Sequence, residues 1–234
     1  MNVYIVTGAG KGIGHSISKL LSRSGKHVIK VVRNSLISEK SENEESYFLN
    51  LLDIDAIKGL FAYCSERMYI IEGIIHCAGI CPVQRIEDIT KEEIESVYRV
   101  NTFSFIELCR CFFIYPNRCP DARIIAVSSI TSDRAYRNQL LYSSSKAALN
   151  HIVMSLAQEG ISKDIKINVV QLGAVETDMF KSLNPNMQTI SRHYPLGIMT
   201  VDEVAEIIVD LTTKKFRKMT GSIIRIDSGF NLVH

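Results

Sequence analysis

The stretch Thr7-Gly8-Ala9-Gly10-Lys11-Gly12-Ile13-Gly14 separates two kinds of pattern. Before it stands Val3-Tyr4-Ile5-Val6, a short, apolar and largely β-branched run. After it Ile17, Leu20 and Leu21 recur at helical spacing as far as Gly25. A strand that passes through a glycine turn into a helix makes a place for an anion. Gly8, Gly12 and Gly14 let the backbone come close to a diphosphate, and the unpaired N–H groups and dipole of the helix N-terminus attract it. The spacing is G-x-x-x-G-x-G rather than G-x-G-x-x-G. Its position at the head of an alternating pattern favours a dinucleotide site, with Ile13 inside it, over a plain tight connection.

Outward from this turn, strands and helices alternate. His27–Val32 reads as a second strand and residues 46–52 as a third, with Asp53 placed to cap a helix carrying Ile57, Leu60 and Phe61. Residues 70–75 form a fourth apolar run that ends at His76-Cys77-Ala78-Gly79. Thr90 and Glu93 have capping-box spacing and open a helix towards Asn101. Strands are expected at 124–127, 166–171 and 223–227, and helices at 142–160 and 201–212. Continuously apolar strands in such an alternation predict an α/β fold, a doubly wound parallel sheet with helices on both faces. The polar residues 39–46 read as a solvated loop. Lys214, Lys215, Arg217 and Lys218 read as an exposed helix end.

Composition narrows the class further. The chain has 234 residues, 46% hydrophobic and 22% charged. That suits one domain, residues 1–234, able to bury roughly 70–75% of its unfolded surface. Lys and Arg number 27 against 25 Asp and Glu, a net charge of +2. This balance argues against nucleic-acid and membrane-surface partners. Six cysteines spread through a chain of this length predict reduced, mostly buried thiols, with neither a disulfide framework nor a metal site. No apolar run approaches about 18 residues, so no transmembrane helix is expected. A strand that starts at Val3 leaves no room for a removable signal peptide. The expectation is a cytoplasmic enzyme.

Two positions carry the electrostatic and chemical reading. The second strand ends at Val32-Arg33, where an acidic residue would accept the ribose hydroxyls of NAD(H). Arg33 and Lys11 are suited instead to a 2′-phosphate, which favours NADP(H) and leaves NAD(H) as the alternative. Tyr142 and Lys146 stand one helical turn apart on one face. A free phenol near pKa 10 is a poor acid–base group at neutral pH, and a neighbouring ammonium is expected to bring it towards the working range. Ser129 follows the fifth strand at its carboxyl end, where a hydroxyl can donate to a substrate carbonyl.

Taken in order, these motifs resemble the short-chain dehydrogenase/reductase family over essentially the whole chain. Thr7 to Gly14 is similar to the family's T-G-x-x-x-G-x-G turn. His76-Cys77-Ala78-Gly79 keeps only the last two residues of its N-N-A-G motif, and Leu172-Gly173-Ala174-Val175-Glu176-Thr177 keeps its P-G-x-x-x-T segment without the proline. The resemblance implies a Rossmann-like sheet of about seven strands and assembly as a homotetramer or homodimer. It implies catalytic roles for Asn101, Ser129, Tyr142 and Lys146, with Asn101 holding a water that links Lys146 to solvent. It further implies that Asn50 and Leu51 border the adenine, Ala78 and Gly79 line the dinucleotide, Tyr142 and Lys146 reach the nicotinamide ribose, and Val175 and Thr177 receive the carboxamide. His76 and Cys77 are expected to weaken a support between strands, and Leu172 to loosen one turn.

Within the family the pattern resembles, among others, that of β-ketoacyl carrier-protein reductases, notably through Val175-Glu176-Thr177-Asp178-Met179. The expected reaction is NADPH-dependent reduction of a small-molecule or carrier-protein-linked carbonyl, such as a 3-oxoacyl thioester, with Tyr142 as general acid. A dehydrogenase acting on a small or sugar-type alcohol is the second reading, and a non-catalytic NADPH sensor or scaffold the third. Residues 178–200, with Pro185 and Pro195, are expected to form a lid. Arg134, Tyr136, Arg137 and Gln139 are candidate rim residues for an acidic substrate, and Lys163 a candidate contact for a carrier protein.

Overall fold

In the computed structural model the described residues are 1–33, 42–183 and 190–233. Seven strands form one wholly parallel sheet: β1 Asn2–Thr7, β2 His27–Val32, β3 Glu44–Phe48, β4 Ile70–His76, β5 Arg118–Ser129, β6 Ile165–Leu172 and β7 Ile223–Ile226. Their order is β3-β2-β1-β4-β5-β6-β7. The chain therefore moves outward from β1, returns to the other side of β1 at β4, and moves outward again. The crevice at the carboxyl ends of β1 and β4 is the switch point of a doubly wound sheet, where ligands bind in such folds.

Alternation along each strand divides the core. Val3 and Ile5 point to one face, with Ile124, Ile167 and Val169, and are covered by α2 (Ile57–Glu66), α4 (Ser104–Ile114) and α5 (Leu140–Gly160). Tyr4 and Val6 point to the other, with Ile125 and Val170, and are covered by α1 (Gly12–Arg23) and α7 (Val201–Leu211). Each such fully buried aliphatic side chain contributes about 1.5–3 kcal/mol, so the double-sided burial of the central strands fixes the sheet. Two capping boxes set helix starts: Thr90 with Glu93 for α3 (Lys91–Tyr98), as the sequence predicts, and Thr200 with Glu203 for α7.

The departures from the sequence reading have local causes. β3 is shorter and earlier than 46–52, because Glu44 and Glu45 are drawn into the sheet by polar partners. Lys30 pairs with Glu44 at 3.0 Å, and Glu45 accepts from Tyr63 at 2.8 Å. The part of 39–46 that is described is thus strand from Glu44 on, not solvated loop, while 39–41 lie outside the described residues. Asp53 caps one turn ahead of α2, accepting from the N–H of Ala56 at 3.2 Å. The helix after Thr90 does not stop near Asn101. It passes through a π-helical turn, Arg99–Phe103, and continues as α4. The six cysteines are free thiols, and no group of metal-ligating side chains occurs among the described residues. No helix among them is long and apolar enough to cross a membrane.

Candidate active site

The glycine turn joins β1 to α1 and packs against the end of β4. Gly8 has φ +65°, and a Cβ there would stand 2.9 Å from Ala78 Cα, so only glycine allows the two strand ends to meet. Gly12 has φ +57° and faces the cleft, its nearest neighbour there being Thr177. Lys11, the residue preceding α1, makes no side-chain cap, and the first turn carries no acidic residue. The opening amides of α1 are thereby left for an anion. Lys11 itself pairs with Asp178 at 3.2 Å across the mouth, both side chains being well exposed.

The support beneath this turn is rebuilt rather than weakened by His76. The buried Thr7 hydroxyl meets His76 Nδ1 at 3.0 Å and accepts from the N–H of Ala78 at 3.3 Å. Burial lowers the His76 imidazole to about 3, with Lys146 acting in the same direction, so it stays neutral. Its other nitrogen, Nε2, has no hydrogen-bond partner among the described residues. Leu172, where the family has proline, ends β6 buried in the second core.

The catalytic candidates converge from three elements. Asn101 is fully buried at the π-helical turn, a backbone irregularity that often marks function. Its Oδ1 accepts from the N–H of Ile80 at 2.9 Å, and its Nδ2 donates to Ile80 O and to Ser145 Oγ, each at 3.0 Å. Asn101 thus clamps the segment after β4 to α5. Lys146, on α5, is only 3% exposed, and its ammonium donates to Val127 O at 2.8 Å. A Cβ on Gly79 would lie 3.5 Å from both Asn101 Oδ1 and Lys146 Nζ, so the two groups flank one point of the backbone. Ser129 Oγ accepts from Thr131 N at 3.2 Å, and it favours the ionised form of the Tyr142 phenol.

Electrostatics correct one expectation. Burial holds the Tyr142 phenol well above its ordinary value, Cys81 adds to this, and only Ser129 acts against it. Lys146 Nζ stands 5.8 Å from the phenol ring centre and is not what sets its titration. Lys146 is itself lowered to about 8, because burial disfavours its charge more than the Cys77 and Cys81 thiols favour it. Those thiols are pushed up by burial to about 12 and about 11 and are protonated at neutral pH.

One cleft of about 1250 Å³ holds nearly all the predicted site. At the dinucleotide end are Gly8, Lys11, Gly12, Ile13, Gly14, Arg33, Asn50, Leu51, Ala78 and Gly79. At the reactive end are Ser129, Tyr142, Lys146, Val175 and Thr177. Asn101 lies behind this lining. Arg33 is exposed at the end of β2. The cleft walls therefore fit a dinucleotide. This fold and this constellation agree with the comparison of the sequence with known families: the profile described as short chain dehydrogenase matches residues 2–188.

The chain belongs to the short-chain dehydrogenase family. It is an NAD(P)-dependent oxidoreductase. Among curated relatives, 3-oxoacyl acyl-carrier-protein reductase FabG of Buchnera aphidicola (subspecies Schizaphis graminum) is 28% identical over 96% of this chain and 95% of its own. Versicolorin reductase stcU of Emericella nidulans is 30% identical over 97% and 94%. A solved short chain dehydrogenase family protein from Francisella tularensis superposes with a TM-score of 0.89 at 28% identity, covering 99% of both chains.

Other sequence expectations fare differently. Arg134, Tyr136 and Gln139 line the cleft, but Arg137 is exposed and outside its lining. Lys163 lies in the turn Ile161–Lys163 at the far end of α5. Twenty-one residues of helix put it about 30 Å from Tyr142, so it does not border the cleft. Of residues 178–200, the described parts are the helix α6 (Asp178–Leu183) and 190–200; Pro185 lies outside the described residues. Sequence reasoning missed the polar support of Ser129. Ser132 Oγ donates to Ser129 O at 2.6 Å and accepts from Asn150 Nδ2 at 2.9 Å and Gln171 Nε2 at 2.8 Å. Asn150 and Gln171 stand at core-facing positions of α5 and β6, and polar residues in such places were the signal available.

Proposed function

We propose that the protein reduces the carbonyl of a 3-oxoacyl thioester, of the carrier-protein-linked class, to an alcohol with NADPH. The observation that carries this reading is the convergence of Ser129, Tyr142, Lys146 and Asn101 at one end of a dinucleotide-sized cleft, with Arg33 at the other. A bound reduced nicotinamide would supply the hydride; the chain's own side chains handle orientation and the proton. Ser129 donates a hydrogen bond to the carbonyl oxygen, stabilising the charge that develops there. Tyr142, kept protonated by burial, delivers its proton to that oxygen, as a general acid for reduction must. Lys146 holds the ribose hydroxyls and passes protons towards the phenol, and Asn101 keeps the path to solvent through the Ile80 carbonyl. Glycines 8, 12 and 14 and the amides of α1 hold the diphosphate, and Arg33 the 2′-phosphate. The naming of several similar proteins as 3-oxoacyl reductases supports the substrate class.

The test is reduction of acetoacetyl thioester by Tyr142→Phe, followed at the nicotinamide absorbance band. The expected loss is about 10²–10⁴-fold in kcat, with NADPH still bound by fluorescence titration; near-normal turnover would remove Tyr142 as the acid. Arg33→Asp is expected to lower the NADPH/NADH preference about tenfold or more, and an unchanged ratio would remove the phosphate contact.

A further inference from the structure

Beyond Ser129 and Tyr142 the cleft ends on a wall that three distant parts of the chain build together. Tyr194, in the segment after α6, is stacked on Phe230 of the terminal turn of helix α8 (Phe230–Val233). Their ring centroids are 4.8 Å apart with 29° between planes. The guanidinium carbon of Arg134, from the loop after β5, stands 5.4 Å from the Phe230 ring centre. Arg134 Nη1 donates to Asn231 Oδ1 at 3.1 Å. Tyr136 completes the wall, and His193 stands at its exposed rim.

The tail that carries Phe230 is tied down at several points. The Asp227 carboxylate accepts from the N–H groups of Gly229 and Asn231, each at 3.1 Å. Leu196 N–H donates to Ser228 O at 3.2 Å, and the Pro195 ring packs where a Cβ on Gly229 would be 3.6 Å away. Burial raises the Tyr194 phenol to about 12, so it carries no charge at neutral pH. The wall thus offers aromatic carbon to the cleft, and Arg134, which the sequence reading turned towards an acidic substrate, is directed to the tail instead.

We propose that this wall receives an uncharged, apolar arm attached to the reducible carbonyl, and that Phe230 and Tyr194 set which arms are accepted. Arg134 is a positioning residue that holds Phe230 rather than a reader of carboxylates. The proposal rests on the carbonyl reduction proposed above. An arm bearing a carboxylate would lose water against the aromatic carbon of Tyr194 and Phe230, while the nearby Arg134 Nη1 is already engaged by Asn231. A phenyl or alkyl arm buries its surface there, worth about ten- to hundredfold in kcat/KM.

Two methyl ketones of similar reach separate the cases: 4-phenylbutan-2-one and levulinate. With NADPH and the full chain, the phenyl ketone is expected to be preferred at least about tenfold in kcat/KM. Phe230→Ala lowers that ratio about fivefold or more. Phe230→Leu, which keeps apolar volume, retains most of it. Arg134→Ala moves the KM for the phenyl ketone more than kcat. Calorimetric titration of both ketones into the protein saturated with NADP⁺ reads the same preference without turnover. Equal or better binding or reduction of levulinate overturns the proposal, as does a ratio untouched by Phe230→Ala in a protein with native circular dichroism. Preferential binding of the phenyl ketone with no reduction of either upholds the wall and overturns the reductase reading.

Discussion

Lys30 and Lys146 are both almost wholly withdrawn from water, at 2% and 3% exposure, yet their surroundings differ in one respect. At the β2–β3 edge the Lys30 ammonium meets the Glu44 carboxylate at 3.0 Å, and that carboxylate is itself only 6% exposed. In the cleft the Lys146 ammonium meets a backbone carbonyl, two protonated thiols nearby, and no carboxylate among the described residues. A buried charge with a countercharge is a structural device, costly to break and replaceable as a pair. A buried charge without one is held near its titration point. That is what a group passing protons needs, and a folding requirement would not select it.

The largest expected effect breaks the cleft side of this comparison. Lys146→Met is expected to lower kcat/KM about 10³-fold, of the order seen when a proton-handling group is removed, while stability in urea at pH 7 does not fall. A folded-state value of about 8 lies below the ordinary lysine value near 10.4, so between these pH values the unfolded chain binds more protons than the native one. The burial cost of Lys146 is therefore fully present below pH 8 and is relieved as pH rises to about 10.4, by about 3 kcal/mol. Buried thiols and phenols, raised above their ordinary values, act in the opposite sense at alkaline pH. The measurement is accordingly the difference between wild type and Lys146→Met in urea midpoints from pH 7 to 10.5. A flat difference would show that Lys146 is not perturbed.

The second prediction concerns the other lysine. Glu44→Gln leaves the Lys30 charge buried without its partner and is expected to cost about 3 kcal/mol of stability, with activity per folded molecule retained. Replacing the pair together, Lys30→Met with Glu44→Leu, is expected to come within about 1 kcal/mol of wild type. A single substitution as mild as the double one would show that the pair is hydrated and that the contrast with Lys146 is small.

How far each region could be read in advance follows from how many chain segments build it. The glycine-turn part of the dinucleotide end comes from β1, the turn and α1, which are contiguous, so local spacing carries the information. Tyr142 and Lys146 share one helix, and Ser129 ends the neighbouring strand. The β3 edge was misread because Glu44 and Glu45 look like loop residues until Lys30 and Tyr63 are brought to them across the sheet. The place of Lys163 was not legible either, because the length of α5 carries it away from Lys146 and the cleft.

Periodicity, glycine spacing and the order of Asn101, Ser129, Tyr142 and Lys146 determined the doubly wound sheet and the candidate side chains of its cleft, because each depends on hydrogen bonding and burial within a few residues. Packing alone decided that the Tyr142 phenol stays protonated, that Lys146 is poised without a carboxylate, and that Arg134, Tyr194 and Phe230 close the cleft. Those outcomes depend on desolvation and contact between segments far apart in the chain, and neither quantity exists before the chain is folded.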